Sequence, residues 1–160
     1  MDAIHSQREH RAFTHHVSAP PEQVFPLLCP IRELEWLSGW DCTLVHSTSG
    51  LAEQGAVFTT QAEGEPPTVW TISRHDPQDR AIAFVCVTPG SRVRVLEITV
   101  TAAPDGGSDL AWSHTFTTLG PAGEAFLDAY PPEVYRRHMD FLARSLEHFC
   151  RTGEQLPGHP

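Results

Sequence analysis

Lysine is absent from this chain: its eleven basic residues are all arginine, set against twenty acidic ones for a formal net charge of −9. Without a basic stripe there is nothing to release counterions from a phosphate backbone, which excludes nucleic acid as a partner. Arginine used alone is what a GC-rich genome produces and carries no functional signal by itself. No apolar run approaches the ~20 residues that span a bilayer, so membrane insertion is not expected. The opening MDAIHSQREHRAF has no hydrophobic stretch of the kind a secretory signal needs. The four cysteines, Cys29, Cys42, Cys86 and Cys150, show neither CxxC spacing nor a disulfide framework and read as reduced thiols in a cytoplasm. Ten histidines are scattered, with no HxH, HExxH or His/Cys cluster at metal-ligand spacing, so no metal and no cofactor are expected.

What is present is enough chain for one domain: 160 residues bury roughly 70% of their unfolded surface. Residues 1–10 read as a polar leader, 11–151 as a single domain, and 152–160 as a flexible tail rich in glycine and proline. Arg11 to Ser18 reads as a first strand ending at the Ala19-Pro20-Pro21 break. Pro21 opens a short helix through Leu28, and Cys29-Pro30 starts a second that Gly39 terminates. Six strands follow, over 41–46, 55–61, 68–75, 81–88, 92–102 and 108–118, separated by turn-rich pieces that favour antiparallel neighbours. The period then changes. Val134, His138, Phe141, Leu142, Ser145, Leu146 and Phe149 recur at helical spacing, predicting one long amphipathic helix over 132–151, with a shorter helical piece at 123–130 before it. A curved sheet of seven strands with one long helix on it leaves space between the two layers, and that space is a route to a binding cavity.

That order of elements, together with SAPPEQVFPLL after the first strand and the long C-terminal helix, resembles the helix-grip superfamily. The group includes START lipid-transfer domains, birch-pollen-type allergens, polyketide cyclases and ring-hydroxylase catalytic subunits, and is often abbreviated SRPBCC. The resemblance covers roughly residues 10–151. CPIRELEWLSGW, SGLAEQGAVFTT and TVWTISRHDP look like a bacterial subgroup. It implies an α+β helix-grip fold, a curved seven-stranded antiparallel sheet wrapped on a long C-terminal helix with two short helices after the first strand. It also implies the capacity to hold an apolar or amphipathic small molecule between sheet and helix. It carries over no catalytic residue, because the superfamily shares none.

The stretch FPLLCPIRELEWLSGW sets an ionisable pair, Arg32 and Glu33, between apolar clusters and beside two tryptophans. Trp36 and Trp40 are four apart and so share a helical face, with Glu33 three before Trp36. Core packing alone accounts for both rings, but a desolvated carboxylate needs a partner or a shifted pKa. Cys29 is a small buried thiol on this reading, with no histidine base near it in sequence. On the last strand Leu110, Trp112, His114, Phe116 and Thr118 alternate onto one bulky face, which points it inward. His114 is there either a satisfied core histidine or a group that meets a ligand. His138 and Leu142 lie on the stripe of the long helix. Trp70 shares a face with Ile72, and Phe84 with Ile82 and Cys86. Arg92 and Arg94 are most simply exposed, although Arg94 shares parity with Leu96 and Ile98, and turned inward it would face a carboxylate ligand. Tyr130 and Tyr135 flank Pro131-Pro132 at a cavity mouth.

Three functions compete. The first is a module that binds a small apolar or aromatic molecule, with Trp36, Trp40, Trp70, Phe84, Trp112, Phe116, His138 and Leu142 around it. The second is a cofactor-free cyclase or dehydratase in which His114 and Glu33 act as an acid–base pair, which requires both to converge on one ligand-sized volume. The third is an interaction domain like the related activators of a heat-shock chaperone ATPase. A homodimer is compatible with any of them.

Overall fold

The two-residue period of a strand sorts side chains to opposite faces, and in this chain the sorting decides where the interior lies. The computed structural model describes residues 6–160. Its strands are β1 (Arg8–Val17), β2 (Thr43–His46), β3 (Val57–Thr60), β4 (Thr68–Asp76), β5 (Ala81–Thr88), β6 (Arg92–Ala102) and β7 (Ser108–Thr118). They form one seven-stranded sheet in the order β1-β7-β6-β5-β4-β3-β2, antiparallel throughout. First and last strands are neighbours, so β1 and β2 stand at opposite edges although they follow one another in sequence. The chain crosses between those edges through α1 (Pro21–Val24), a 3-10 turn (Phe25–Leu28) and α2 (Pro30–Trp36). After β7 come α3 (Pro121–Ala129) and the long α4 (Pro132–Thr152). This is the helix-grip arrangement.

All four helices begin on proline, whose fixed φ suits a first helical turn and whose missing N–H is not needed there. Gly153, at φ 73°, closes α4 in the left-handed conformation and returns its N–H to the Phe149 carbonyl. The inward face of β7 is the expected one: Leu110, Trp112, His114, Phe116 and Thr118 are all buried. Register carries that face across the sheet. One row runs Arg11, His114, Leu96, Phe84, Ile72, and the next runs Phe116, Arg94, Cys86, Trp70, Phe58.

Four expectations need revision. β1 starts at Arg8, inside what reads as a polar leader. An edge strand buries little, but its backbone is held at that end by Gln7, which donates to Thr118 Oγ1 at 2.8 Å and accepts from the Thr118 N–H. The second helix stops at Trp36; Leu37 is extended, so Trp40 lies in the following loop and shares no helical face with Trp36. The buried stripe of α4 is rotated by about one residue from the predicted one. That shift is confined to its N-terminal end, where Tyr135 and Met139 are buried in place of Val134 and His138 and His138 is exposed; Phe141, Ser145 and Leu146 are buried as predicted, with Leu142 and Phe149 packed beside them. The tail after Thr152 turns back along α4: Leu156 is half-buried and Gly158 lies beside the Phe141 ring.

Gly123 fixes α3 against the β5–β6 hairpin. A Cβ there would stand 2.1 Å from the Ser91 carbonyl oxygen, which is backbone and cannot swing aside. Gly123→Ala is expected to lower stability by about 1–3 kcal/mol through overpacking, while Ala125→Ser on the exposed side of α3 stays within about 0.5 kcal/mol. Urea unfolding midpoints measure both.

Candidate functional site

Between the concave face and α4 lies a cavity of about 390 Å³. The sheet contributes Phe58, Trp70, Phe84, Arg94, Leu96, Ile98, Trp112 and His114; α4 contributes His138, Met139, Phe141 and Leu142. The edge-to-edge connection closes one end with Pro30, Glu33, Leu37 and Trp40, and Tyr130, His159 and Pro160 complete the lining. A wider groove of about 880 Å³ runs outside, along β1 and α4, but Arg136, Arg137 and Arg144 there mingle with Glu133 and Asp140 and no apolar wall encloses it.

Aromatic rings supply much of the cavity wall on the sheet side. Phe58 stacks on Trp70 with centroids 5.2 Å apart, and Phe84 and Trp40 meet Trp70 edge-on at 6.0 and 5.9 Å. Every indole N–H is already engaged: Trp36 with the Leu27 carbonyl (2.8 Å), Trp40 with the Pro30 carbonyl (2.9 Å), Trp70 with Thr60 Oγ1 (2.9 Å), and Trp112 with His15 Nε2 (3.0 Å). The indoles therefore offer a ligand contact area rather than hydrogen bonds.

The polar groups that face the cavity behave differently. Glu33 is half-buried and borders the cavity, and burial pushes its carboxyl up to about 8. Among the described residues its carboxyl has no hydrogen-bond or ion-pair partner. The adjacent Arg32 turns to Glu35 at 2.7 Å on the outer side of α2. At neutral pH Glu33 is thus mainly the neutral acid, able to donate a hydrogen bond. His114 is buried between the rings of Trp112 and Phe116, and its Nδ1 lies 3.0 Å from the Tyr135 hydroxyl. Burial, reinforced by the charges of Arg94 and Arg11, pushes it down to about 3 and keeps it neutral. Burial also pushes the Tyr135 phenol up to about 12, so that pair is uncharged on both sides.

Of the residues singled out from sequence, Glu33, Trp40, Trp70, Phe84, Trp112, His114, His138 and Leu142 line this one cavity. Trp36 does not: its side chain is wholly buried beneath the connection, where it packs as core. Phe116 does not either. It is buried toward α3, against Phe126 at 5.8 Å, Tyr130 at 6.2 Å and the Arg11 guanidinium at 5.7 Å. His138 reaches only the rim, 5.3 Å from Tyr130. Tyr130 borders the cavity as expected for its mouth, whereas Tyr135 is buried behind it against His114. Arg94, most simply exposed on sequence grounds, points inward; its parity with Leu96 and Ile98 was the available signal. Cys29 is buried, and its sulfur accepts the Ala52 N–H at 3.2 Å.

The comparisons agree with this geometry. The family described as polyketide cyclase / dehydrase and lipid transport matches residues 10–147, and the chain belongs to it. Among solved structures, a norcoclaurine synthase point mutant from Thalictrum flavum, in complex with a transition-state analogue, superposes with a TM-score of 0.67 at 10% identity, over 94% of this chain and 99% of that one. Ara h 8.0201 gives a TM-score of 0.61 at 17% identity, over 91% and 99%. DynU16, from the dynemicin biosynthetic locus, gives 0.62 at 17% identity over 91% of this chain, which spans only 48% of DynU16. At these identities the likeness is one of fold. No curated protein matches the sequence. Among the described residues no helix is long and apolar enough to cross a membrane, and no three histidine, cysteine or acidic side chains are grouped to hold a metal ion.

Burial gives the site a pH signature. Folding holds Glu33 as the acid, so unfolding releases a proton once the pH exceeds the ordinary carboxylate value of 4.5, and stability falls as pH rises from there to about 8. His15 and His114 act from the other side. Burial holds them near 4 and 3 rather than 6.5, so stability falls as pH drops below 6.5. The two effects place the maximum of thermal stability near pH 6.5. Glu33→Gln is expected to remove most of the decline above pH 6.5 and to steepen the fall between pH 6.5 and 4.5, where the Glu33 contribution opposes that of the histidines, measured as Tm from pH 4 to 9.

Proposed function

We propose that this protein binds one small, largely apolar aromatic molecule between its sheet and α4. The observation that carries this reading is a cavity walled by aromatic rings into which an unpartnered carboxyl group opens. A desolvated carboxyl without a partner costs stability that an apolar residue at the same place would not. A volume of about 390 Å³ lies toward the small end of ligand pockets, which run ~300–1,000 Å³, and favours a compact ring system over a long-chain lipid. Trp40, Trp70, Trp112 and Phe84 supply contact area, and Glu33 and His114 orient the polar end of the ligand. A filled interior would have favoured the interaction-domain alternative, and the cavity beside Trp70 gives it no such weight.

A second reading, a cofactor-free cyclase or dehydratase, is favoured by one observation: Glu33 and His114 face the same volume. Their tuning makes the roles unequal. A histidine held near 3 is too weak a base to take a proton from carbon at neutral pH, and serves as a hydrogen-bonding group instead. Glu33, near 8, suits a general acid that protonates a departing hydroxyl or a carbonyl oxygen. This is the kind of chemistry the family's description names for its cyclase and dehydrase members.

Quenching of tryptophan fluorescence by 2-naphthylmethanol, a neutral aromatic alcohol, tests the binding reading. The native protein is expected to bind it saturably, and Leu142→Trp, which fills the cavity from α4, to weaken binding by about tenfold or more. Absence of saturable binding, together with no co-purifying small molecule in native mass spectra of protein from its own host, would overturn the reading. For the enzyme reading, any turnover found should fall with Glu33→Gln far more than with His114→Gln.

A further inference from the structure

Three guanidinium groups stand on the concave side of the sheet, and two of them are neutralised within the protein. Arg11 meets Glu9 at 2.6 Å and also donates to the Tyr130 carbonyl. Arg92 holds Glu65 in a two-pronged pair, at 2.7 and 3.0 Å, with the Phe126 ring 3.5 Å from its guanidinium carbon. Arg94 is different. Its guanidinium lies over the Trp70 ring at 4.5 Å and near Phe116 at 5.9 Å, it borders the cavity, and among the described residues no carboxylate stands within ion-pair distance of it. Its neighbours across the strands are Phe116 and Cys86, neither of which can take its charge. Arg94 is also the one side chain of the cavity lining with a permanent charge.

A guanidinium enclosed by rings is poorly hydrated, and attraction to the ring faces recovers only part of the lost hydration. Its planar fork matches a carboxylate in two parallel hydrogen bonds, an interaction that strengthens where water is excluded. No other side chain of the lining offers a competing anion: burial keeps Glu33 in its acid form at neutral pH, so that it donates a hydrogen bond rather than repelling a negative ligand. We propose that the cavity selects a planar aromatic molecule bearing a single negative charge, a carboxylate or a phenolate, with the anion seated on Arg94. This rests on the reading that the cavity binds an aromatic ligand, and it adds the charge that the ligand carries. The ring lies along the Trp70 and Phe84 wall, and a hydroxyl or carbonyl at the opposite end meets Glu33.

Three probes that share one ring system separate the charge from the ring: 2-naphthoate, 2-naphthylmethanol and 2-naphthylmethylammonium, titrated calorimetrically at pH 7. The native protein is expected to bind the carboxylate at least about tenfold more tightly than the alcohol, and the ammonium most weakly. Arg94→Gln is expected to remove that preference while leaving the alcohol within about threefold, and Arg94→Lys to retain part of it, because charge persists without the fork. Equal affinity for carboxylate and alcohol in the native protein would overturn the charge assignment and leave the binding reading intact. A carboxylate preference that survives Arg94→Gln would also overturn it, by moving the anion elsewhere. Failure of all three probes to bind would overturn the charge assignment and, together with no co-purifying small molecule, the binding reading as well. The comparison within the native protein stands even if a variant folds poorly.

Discussion

Two indole hydrogen bonds hold the connection from one sheet edge to the other, and the cavity exists because they do. The chain must pass from β1 to β2 across the open end of the curved sheet, in a run too short to build its own core. Trp36 is driven beneath it, N–H to the Leu27 carbonyl, and Trp40 is tied to the Pro30 carbonyl from the loop beyond. These bonds satisfy both indole donors, one on a carbonyl of the 3-10 turn and one on that of the first residue of α2. With the connection pinned at both ends, α2 has a fixed rotation: Arg32 turns out to Glu35 and Glu33 turns in. A connection free to slide would let apolar groups from α4 close onto Trp70, and the acid would move to solvent.

Much of this was legible in sequence because it depends on period. β7 alternates without interruption and the long helix repeats without a break, so the layers and the inward place of His114 followed directly. Where a residue's position depends on an element's end or on its neighbours across the sheet, the sequence was silent. Trp36 and Trp40 look paired only if the helix continues four residues further than it does. Phe116 shares a strand face with Trp112, yet α3 covers it, and nothing in β7 itself announces α3. The inward turn of Arg94 is the one its parity with Leu96 and Ile98 offered, but its lack of a carboxylate partner is a three-dimensional fact. The return of the tail has the same character: a polar Gly/Pro stretch reads as free, but Leu156 finds the flank of α4.

The electrostatics of the interior point in one direction. Burial holds three groups uncharged, His114, Glu33 and Tyr135, and leaves a guanidinium charged without an acidic partner. A fold selected for stability alone would place aliphatic side chains at Glu33 and Arg94, since replacing buried polar groups by well-packed apolar ones is often stabilising. Both groups are a cost in stability at the site, and the ligand proposed above is one that would offset it at both ends.

The returning tail brings His159 and Pro160 beside Ser38 and Gly39, at the lip of the cavity, where a side chain added at Gly39 would lie 3.7 Å from the His159 imidazole. Anything joined after Pro160 therefore emerges at the entrance rather than at a remote corner of the molecule. A purification tag placed there is a plug within reach of its socket, and a fluorophore placed there is an occupancy sensor whose surroundings change as the entrance fills.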